Sequence, residues 1–173
     1  MRRGGAILGT AVFFVVPLFV AGIVPWWIVG WPLPSSDHSV PVAQAIGGVL
    51  AAAGTLMVLD SFVRFAVKGM GTPAPVFPTR HLVVDGLYRY VRNPIYVGVV
   101  SVIFGQALVF GSPGLALYGA LIWFLFDRFV GGYEEPTLRE TFGSEYVEFC
   151  RHVRRWIPRL TPWRDANPSS TAR

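Results

Sequence analysis

The chain has 173 residues, of which 53% are hydrophobic, 14% aromatic and 14% charged; soluble domains carry about a quarter charged residues. This composition excludes a disordered chain and a wide basic surface for nucleic acid, and argues against a soluble globule despite a formal net charge of +5. The single cysteine, Cys150, excludes an internal disulfide and any zinc site built on cysteine pairs.

Four stretches are apolar enough to cross a bilayer, which takes about 20 residues. The first covers about 6–29 and ends among Trp26, Trp27 and Trp31, an interfacial aromatic belt. Arg2 and Arg3 ahead of it raise the alternative of a secretory signal peptide. The run is longer than a signal core, however, and more spans follow. The second, about 42–60, is rich in Gly47, Gly48, Ala51, Ala52 and Gly54, small residues that let helix backbones approach closely in lipid. Asp60 and Arg64 stand four apart with the acid first, the favourable order for a helical ion pair. The third and fourth spans, about 94–110 and 115–130, are joined by Gly111-Ser112-Pro113-Gly114 as a tight helical hairpin.

Basic residues set the orientation. The Trp31–Pro41 loop and the 111–114 turn hold no Lys or Arg, whereas the N-terminal tip, the 60–93 region and the chain from Arg128 onward hold all 15. The positive-inside rule therefore places both termini and the 68–93 loop in the cytoplasm. Arginine in preference to lysine, with abundant alanine and glycine, points to a GC-rich bacterial genome and hence to a bacterial inner (plasma) membrane.

Inside the spans only Gln44 and Gln106 are strongly polar, which argues against a transporter, whose cargo binds polar groups near the midplane. The chemistry must lie at the cytoplasmic boundary. There Arg80, His81, Asp85, Tyr88, Arg89, Tyr90, Arg92 and Asn93 crowd just ahead of the third span. Arginines at such an edge commonly anchor lipid headgroups; the interleaved tyrosines, Asp85 and Asn93 suggest a more specific surface.

Beyond the fourth span, Glu134 and Glu135 precede Pro136 at a helix N-terminus, where their charge suits the helix dipole. Leu138, Phe142, Tyr146, Phe149, Val153 and Trp156 then recur at spacings of three and four, which predicts one amphipathic cytoplasmic helix. Cys150 beside this stripe reads as a packing residue. The expected fold class is an all-α integral membrane protein with about four transmembrane helices and a cytoplasmic amphipathic C-terminal helix. It forms one membrane-embedded domain over 1–160, with a cytoplasmic cap from 70–93 and 133–160, followed by a flexible tail over 161–173.

The run Gly86-Leu87-Tyr88-Arg89-Tyr90-Val91-Arg92-Asn93-Pro94-Ile95-Tyr96-Val97-Gly98 resembles the signature of the isoprenylcysteine carboxyl methyltransferase and phospholipid methyltransferase group. Glu134-Glu135 followed by Leu138, Phe142-Gly143, Tyr146, Arg155 and Pro158 resembles its second motif. The likeness covers roughly residues 78–160. It implies an integral membrane methyltransferase using S-adenosyl-L-methionine without a Rossmann domain and releasing S-adenosyl-L-homocysteine. The implied partners are membrane lipid and a lipidic or small apolar methyl acceptor, a phospholipid amine, a prenyl-cysteine-like carboxylate or a thiol, with no nucleic acid.

Carried over by motif, the cofactor pocket uses Arg80, His81, Leu82, Val83, Tyr88, Asn93, Pro94, Ile95, Tyr96 and Glu134. Arg92 would steer an anionic acceptor or lipid phosphate, and Glu135 would aid an amine, so these two are the expected catalytic residues; no metal is implied. The chain departs from the pattern at Asn93, where a histidine is usual. It departs again at Val130, where the eukaryotic carboxyl methyltransferases carry a substrate-contacting arginine. A catalytically silent membrane protein of the same fold, binding lipid or cofactor, is the alternative.

Overall fold

The computed structural model describes residues 15–30, 42–68, 82 and 84–164. Among the described residues every regular element is helical: α1 (Val15–Val29), α2 (Val42–Lys68), α3 (Pro94–Val109), α4 (Pro113–Phe129) and α5 (Glu135–His152). Two helical runs, Val42–Arg64 and Pro113–His152, are long and apolar enough to cross a membrane; α1 and α3 are shorter apolar helices. Only 17% of each long apolar window is buried within the protein, so these are not core helices of a soluble fold. Their outward faces carry Val49, Leu56, Leu117 and Phe124 in the open.

Proline shapes two of these helices in the same way. In α1 the segment Phe19–Ile23 widens to π geometry two residues before Pro25. Proline has no N–H to offer, so the carbonyls of Val20 and Ala21 lose their partners in the helix. Other helices supply the missing donors: Gln106 of α3 donates Nε2 to Ala21 O at 2.7 Å, and Tyr118 of α4 donates its hydroxyl to Val20 O at 2.9 Å. Gln106, a polar residue inside an apolar span, is there to satisfy backbone. The second π turn, Val130–Glu134, likewise closes two residues before a proline, Pro136. It carries the chain from α4 into α5.

Helices α2 and α3 run antiparallel in near backbone contact. A Cβ added at Gly54 would stand 2.5 Å from Gly98 O, and one at Gly47 would stand 2.6 Å from Gly105 O. Glycine removes the side chain that would hold the helices apart, and close packing replaces the hydrophobic drive that lipid cannot supply. α3 and α4 form the expected hairpin, with Pro113 in the first turn of α4 and Ser112 Oγ accepting Leu115 N–H at 3.3 Å. One core draws on all four bundle helices: Val58, Phe62, Val99 and Ile103 are buried, with Val20, Ala21, Ile95, Tyr118, Ile122 and Phe126 packed around them.

A second core lies beyond the helix ends. Leu82, Tyr146, Phe149 and Val153 are buried, flanked by Val84, Leu138, Phe142, Cys150 and Trp163. Where water is the alternative, burying one such side chain contributes about 1.5–3 kcal/mol. The expected single stripe needs two corrections. Gly143 takes φ 53°, ψ −125°, which kinks α5 between its two apolar arms. The helix then ends at His152, and Val153 is extended, so Trp156 leaves the stripe for another partner. The expected tail also begins too early, because Trp163 packs on Phe149 and stacks on His152.

Candidate functional site

The C-terminal strap, 153–163, lies along the segment that leads into α3. Arg92 N–H donates to Arg154 O at 3.0 Å, Arg159 N–H to Tyr90 O at 2.9 Å, and Trp163 N–H to Arg89 O at 2.9 Å. Arg89 Nε returns a bond to Trp163 O at 2.7 Å, and Asn93 Nδ2 donates to Arg155 O at 3.3 Å. Asn93 precedes Pro94, which steers it away from helical geometry, and its φ of −122° and ψ of 61° start α3 abruptly. Tyr96 therefore falls in the first turn of α3, at the inner edge of the strap.

Two neighbouring glutamates take opposite surroundings. Successive helical residues point about 100° apart, and the π turn ends between these two. Glu134 faces α3, where Tyr96 donates its hydroxyl to Oε2 at 2.9 Å. The Tyr96 ring lies 4.6 Å from that of Phe126 and 6.5 Å from that of Trp156, centroid to centroid. Glu135 turns to the strap and is buried between two guanidinium groups. Arg155 Nε and Nη2 hold its oxygens at 2.7 and 2.8 Å, and Arg92 Nη1 stands 3.0 Å from Oε1. Arg155 Nη1 also reaches Asp127 at 3.2 Å, and Trp156 Nε1 donates to the same oxygen at 3.0 Å.

Charge follows partner. The apolar part of α4 ends at Asp127–Arg128, and Glu134 follows it at the end of the π turn. Burial pushes its carboxyl up to about 7, the Tyr96 hydrogen bond pulls the other way, and the Glu135 charge adds to the rise. Burial also holds the Tyr88 hydroxyl well above its usual value, with smaller contributions from the Glu134 and Asp60 charges. Arg92 Nη1 donates to Cys150 Sγ at 2.7 Å, while its Nε is buried with no hydrogen-bond partner among the described residues. A buried donor without an acceptor costs about 1–3 kcal/mol. Among the described residues, the site thus combines a carboxyl that no cation pairs with, an arginine nitrogen with no acceptor, and an aromatic wall.

Of the residues expected at the site, Tyr88, Tyr96 and Glu134 come together, and Arg92 and Glu135 form the adjoining ion pair. Pro94 is buried in the first turn of α3. Leu82 packs in the second core and Ile95 against the bundle core, while Arg80, His81 and Val83 lie outside the described residues. Asp127 and Trp156 were not legible as site residues, because nothing local in the chain pairs them.

Fold and site together define, among the described residues, an all-helical protein with two helices long and apolar enough to cross a membrane and a buried acidic and aromatic cluster at one end of its bundle. Residues 42–145 match the phospholipid methyltransferase family, and the chain belongs to that family. It is 31% identical over 78 residues to protein-S-isoprenylcysteine O-methyltransferase B of Arabidopsis thaliana, covering 44% of this chain and 39% of that one. It is 33% identical over 78 residues to protein-S-isoprenylcysteine O-methyltransferase of Schizosaccharomyces pombe, covering 44% and 33%. Against phosphatidyl-N-methylethanolamine N-methyltransferase of Emericella nidulans it is 26% identical over 153 residues, covering 82% and 71%. The matched region thus spans well under half the length of the two isoprenylcysteine relatives. No solved structure matches the chain.

Proposed function

We propose that this protein is an integral membrane methyltransferase that uses S-adenosyl-L-methionine and acts at the cytoplasmic face on a lipidic or small apolar acceptor. In this reading α1 to α4 all cross a bacterial inner membrane with both termini in the cytoplasm, and α5 with the strap caps the site. One observation carries the reading. Glu134 is buried at an aromatic wall and accepts a hydrogen bond from Tyr96, yet among the described residues no cation pairs with it. A sulfonium and its ribose hydroxyls suit that carboxylate, and the orphaned Arg92 Nε suits an anionic group such as the methionine carboxylate.

When bound, S-adenosyl-L-methionine would be held at Glu134 and Arg92 and would supply an electrophilic methyl on its sulfonium to an acceptor that is anionic or has already lost its proton. The chain's share is positioning and exclusion of water. Tyr96 and Tyr88 orient Glu134, and Phe126 and Trp156 close the apolar side. Glu135, occupied by two guanidinium groups, holds Arg92 in place. Arg80, His81, Leu82 and Val83, with Asn93, Pro94 and Ile95, complete the proposed cofactor surroundings from the segment ahead of α3.

The test is calorimetric titration of the full chain in detergent with S-adenosyl-L-homocysteine, followed by incubation of membranes with methyl-labelled S-adenosyl-L-methionine. We expect binding and a lipid-soluble labelled product. In Glu134→Gln, loss of a charge-assisted bond should weaken affinity about 10- to 150-fold, roughly 1.5–3 kcal/mol. Unchanged affinity in a folded variant removes Glu134 from the site. Binding without a labelled product replaces the enzyme by a cofactor-binding protein.

A further inference from the structure

The strap has two faces. Inward, Val153 is buried, Arg155 grips Glu135, Trp156 bonds Asp127 and Trp163 packs on Phe149. Outward it presents Ile157, 60% exposed, and Leu160, 100% exposed. The same stretch is strongly basic: residues 149–164 hold five arginines and no acid. Arg155 is held by Glu135 and Asp127, Arg151 pairs with Glu148, and Arg159 donates to His152 O. Arg154 and Arg164 are exposed, and among the described residues no acid meets either.

The position of the strap decides what its outward face meets. Pro162 faces Leu56 and Met57 of α2 across a cavity of about 460 Å³. Leu56 is 67% exposed, on a helix long and apolar enough to cross a membrane. Arg64, about two turns further along α2, lines the same cavity, as does Arg89. The strap therefore ends where α2 passes from apolar to charged residues. In a bilayer that is the boundary between acyl chains and headgroups.

The mixture of side chains selects the surface. Ile157 and Leu160, exposed together, favour the acyl boundary over water. Guanidinium groups without a carboxylate favour phosphate oxygens, which their planar donors match. A zwitterionic leaflet has no net charge to attract them, whereas one with anionic headgroups does.

We propose that the outward face of the strap docks on an anionic leaflet, with Ile157 and Leu160 among the first acyl carbons and Arg154 and Arg164 on headgroup phosphates, and that this docking regulates the candidate cofactor site. The regulatory half rests on the methyltransferase reading. The lipid here is a surface and not a methyl acceptor: it needs a negative charge and no amine. On the inward face of the same strap Arg155 holds Glu135, and the Trp156 ring stands 6.5 Å from that of Tyr96. Lipid that binds the strap only in this position favours the assembled site.

Hydrogen exchange of the strap amides is followed on the full chain in nanodiscs of phosphatidylcholine alone and of phosphatidylcholine mixed with phosphatidylglycerol. In the mixed discs the wild-type strap should exchange more slowly by about threefold or more, and high salt should cancel the difference by screening. Arg154→Gln with Arg164→Gln should cancel it at low salt, and so should Leu160→Asp. S-adenosyl-L-homocysteine should bind the wild type about threefold more tightly, or better, in the mixed discs, and should bind both variants equally in the two discs. In detergent both variants should match the wild-type affinity, which certifies their fold. Equal exchange in the two discs, or a slowing that survives high salt or the arginine substitutions, overturns the docking. Equal wild-type affinity in the two discs, with the slowing present, overturns the regulation. Absence of S-adenosyl-L-homocysteine binding in every medium overturns the methyltransferase reading instead, and the exchange rates still decide the docking.

Discussion

Arg155 takes both carboxylate oxygens of Glu135, at 2.7 and 2.8 Å, from a position 20 residues further along the chain. Its third nitrogen meets Asp127 at 3.2 Å, which ties the strap to the end of α4 and the start of α5 together. Trp156 adds its own bond to Asp127 and lays its ring toward Tyr96. A salt bridge at the strap thereby positions the Trp156 ring beside Tyr96, the partner of Glu134.

Arg155→Lys should show how much depends on the planar fork. Lysine keeps the charge but cannot grip Glu135 and Asp127 at once. Arg92 still faces Glu135, so we expect a loss of about 1–3 kcal/mol rather than the larger cost of an uncompensated buried charge. The thermal midpoint in detergent should fall, and S-adenosyl-L-homocysteine affinity should fall with it. An unchanged midpoint would show that the strap is held by its backbone bonds alone.

The Glu134 carboxyl, raised from its usual 4.5 to about 7, makes two pH dependences. Between these values the folded chain holds a proton that the unfolded chain has lost, so stability should decrease as pH rises through that window. Affinity for the cationic S-adenosyl-L-methionine should move the other way and increase as pH rises toward and through about 7, because the sulfonium favours the ionised carboxylate. Titrations at several pH values should show the rise in the wild type and not in Glu134→Gln. A flat wild-type profile would place Glu134 away from the sulfonium.

Tyr96→Phe keeps the ring between Phe126 and Trp156 and removes the hydroxyl that Glu134 accepts from. That bond lowers the carboxyl's proton affinity, so its loss should shift the midpoint of the pH–affinity curve upward. The cost in cofactor affinity at neutral pH should be about 0.5–1.5 kcal/mol, the net worth of one hydrogen bond. An unshifted midpoint would mean that the hydroxyl leaves Glu134 when ligand binds.

Gly98→Val tests the helix contact that supports the site from below. Its Cβ would sit 2.7 Å from Gly54 O and 2.8 Å from Val58 Cγ2. Overpacking costs about 1–3 kcal/mol where side chains can yield; a backbone carbonyl yields less, so we expect the higher end or failure to accumulate. Gly48→Ala on α2 meets no atom of the described residues within 4 Å and should be silent. Equal behaviour of the two variants would rule out the close approach.

Much of the fold was legible from residues acting locally or through lipid. Apolar runs, the Gly111–Pro113 turn and the small residues of α2 state where helices form and where they can touch, because each signal depends on hydrogen bonding and hydropathy within a few residues. The resemblance of two motifs named Glu134, Tyr88 and Tyr96, three residues that the structure brings near one another. What a residue meets across the bundle was not. Gln106 looked like a polar anomaly until Pro25, far off in sequence, left it a carbonyl to satisfy. Trp156 continued a helical spacing, but a positive φ at Gly143 and the stop at His152 sent it to Asp127 and Tyr96. Glu134 and Glu135 are adjacent and chemically identical, so the sequence by itself determined only that two acids stand at the membrane edge. Tertiary structure decided that one meets a tyrosine and the other two arginines, since burial and partners, not residue type, set what a carboxylate can do.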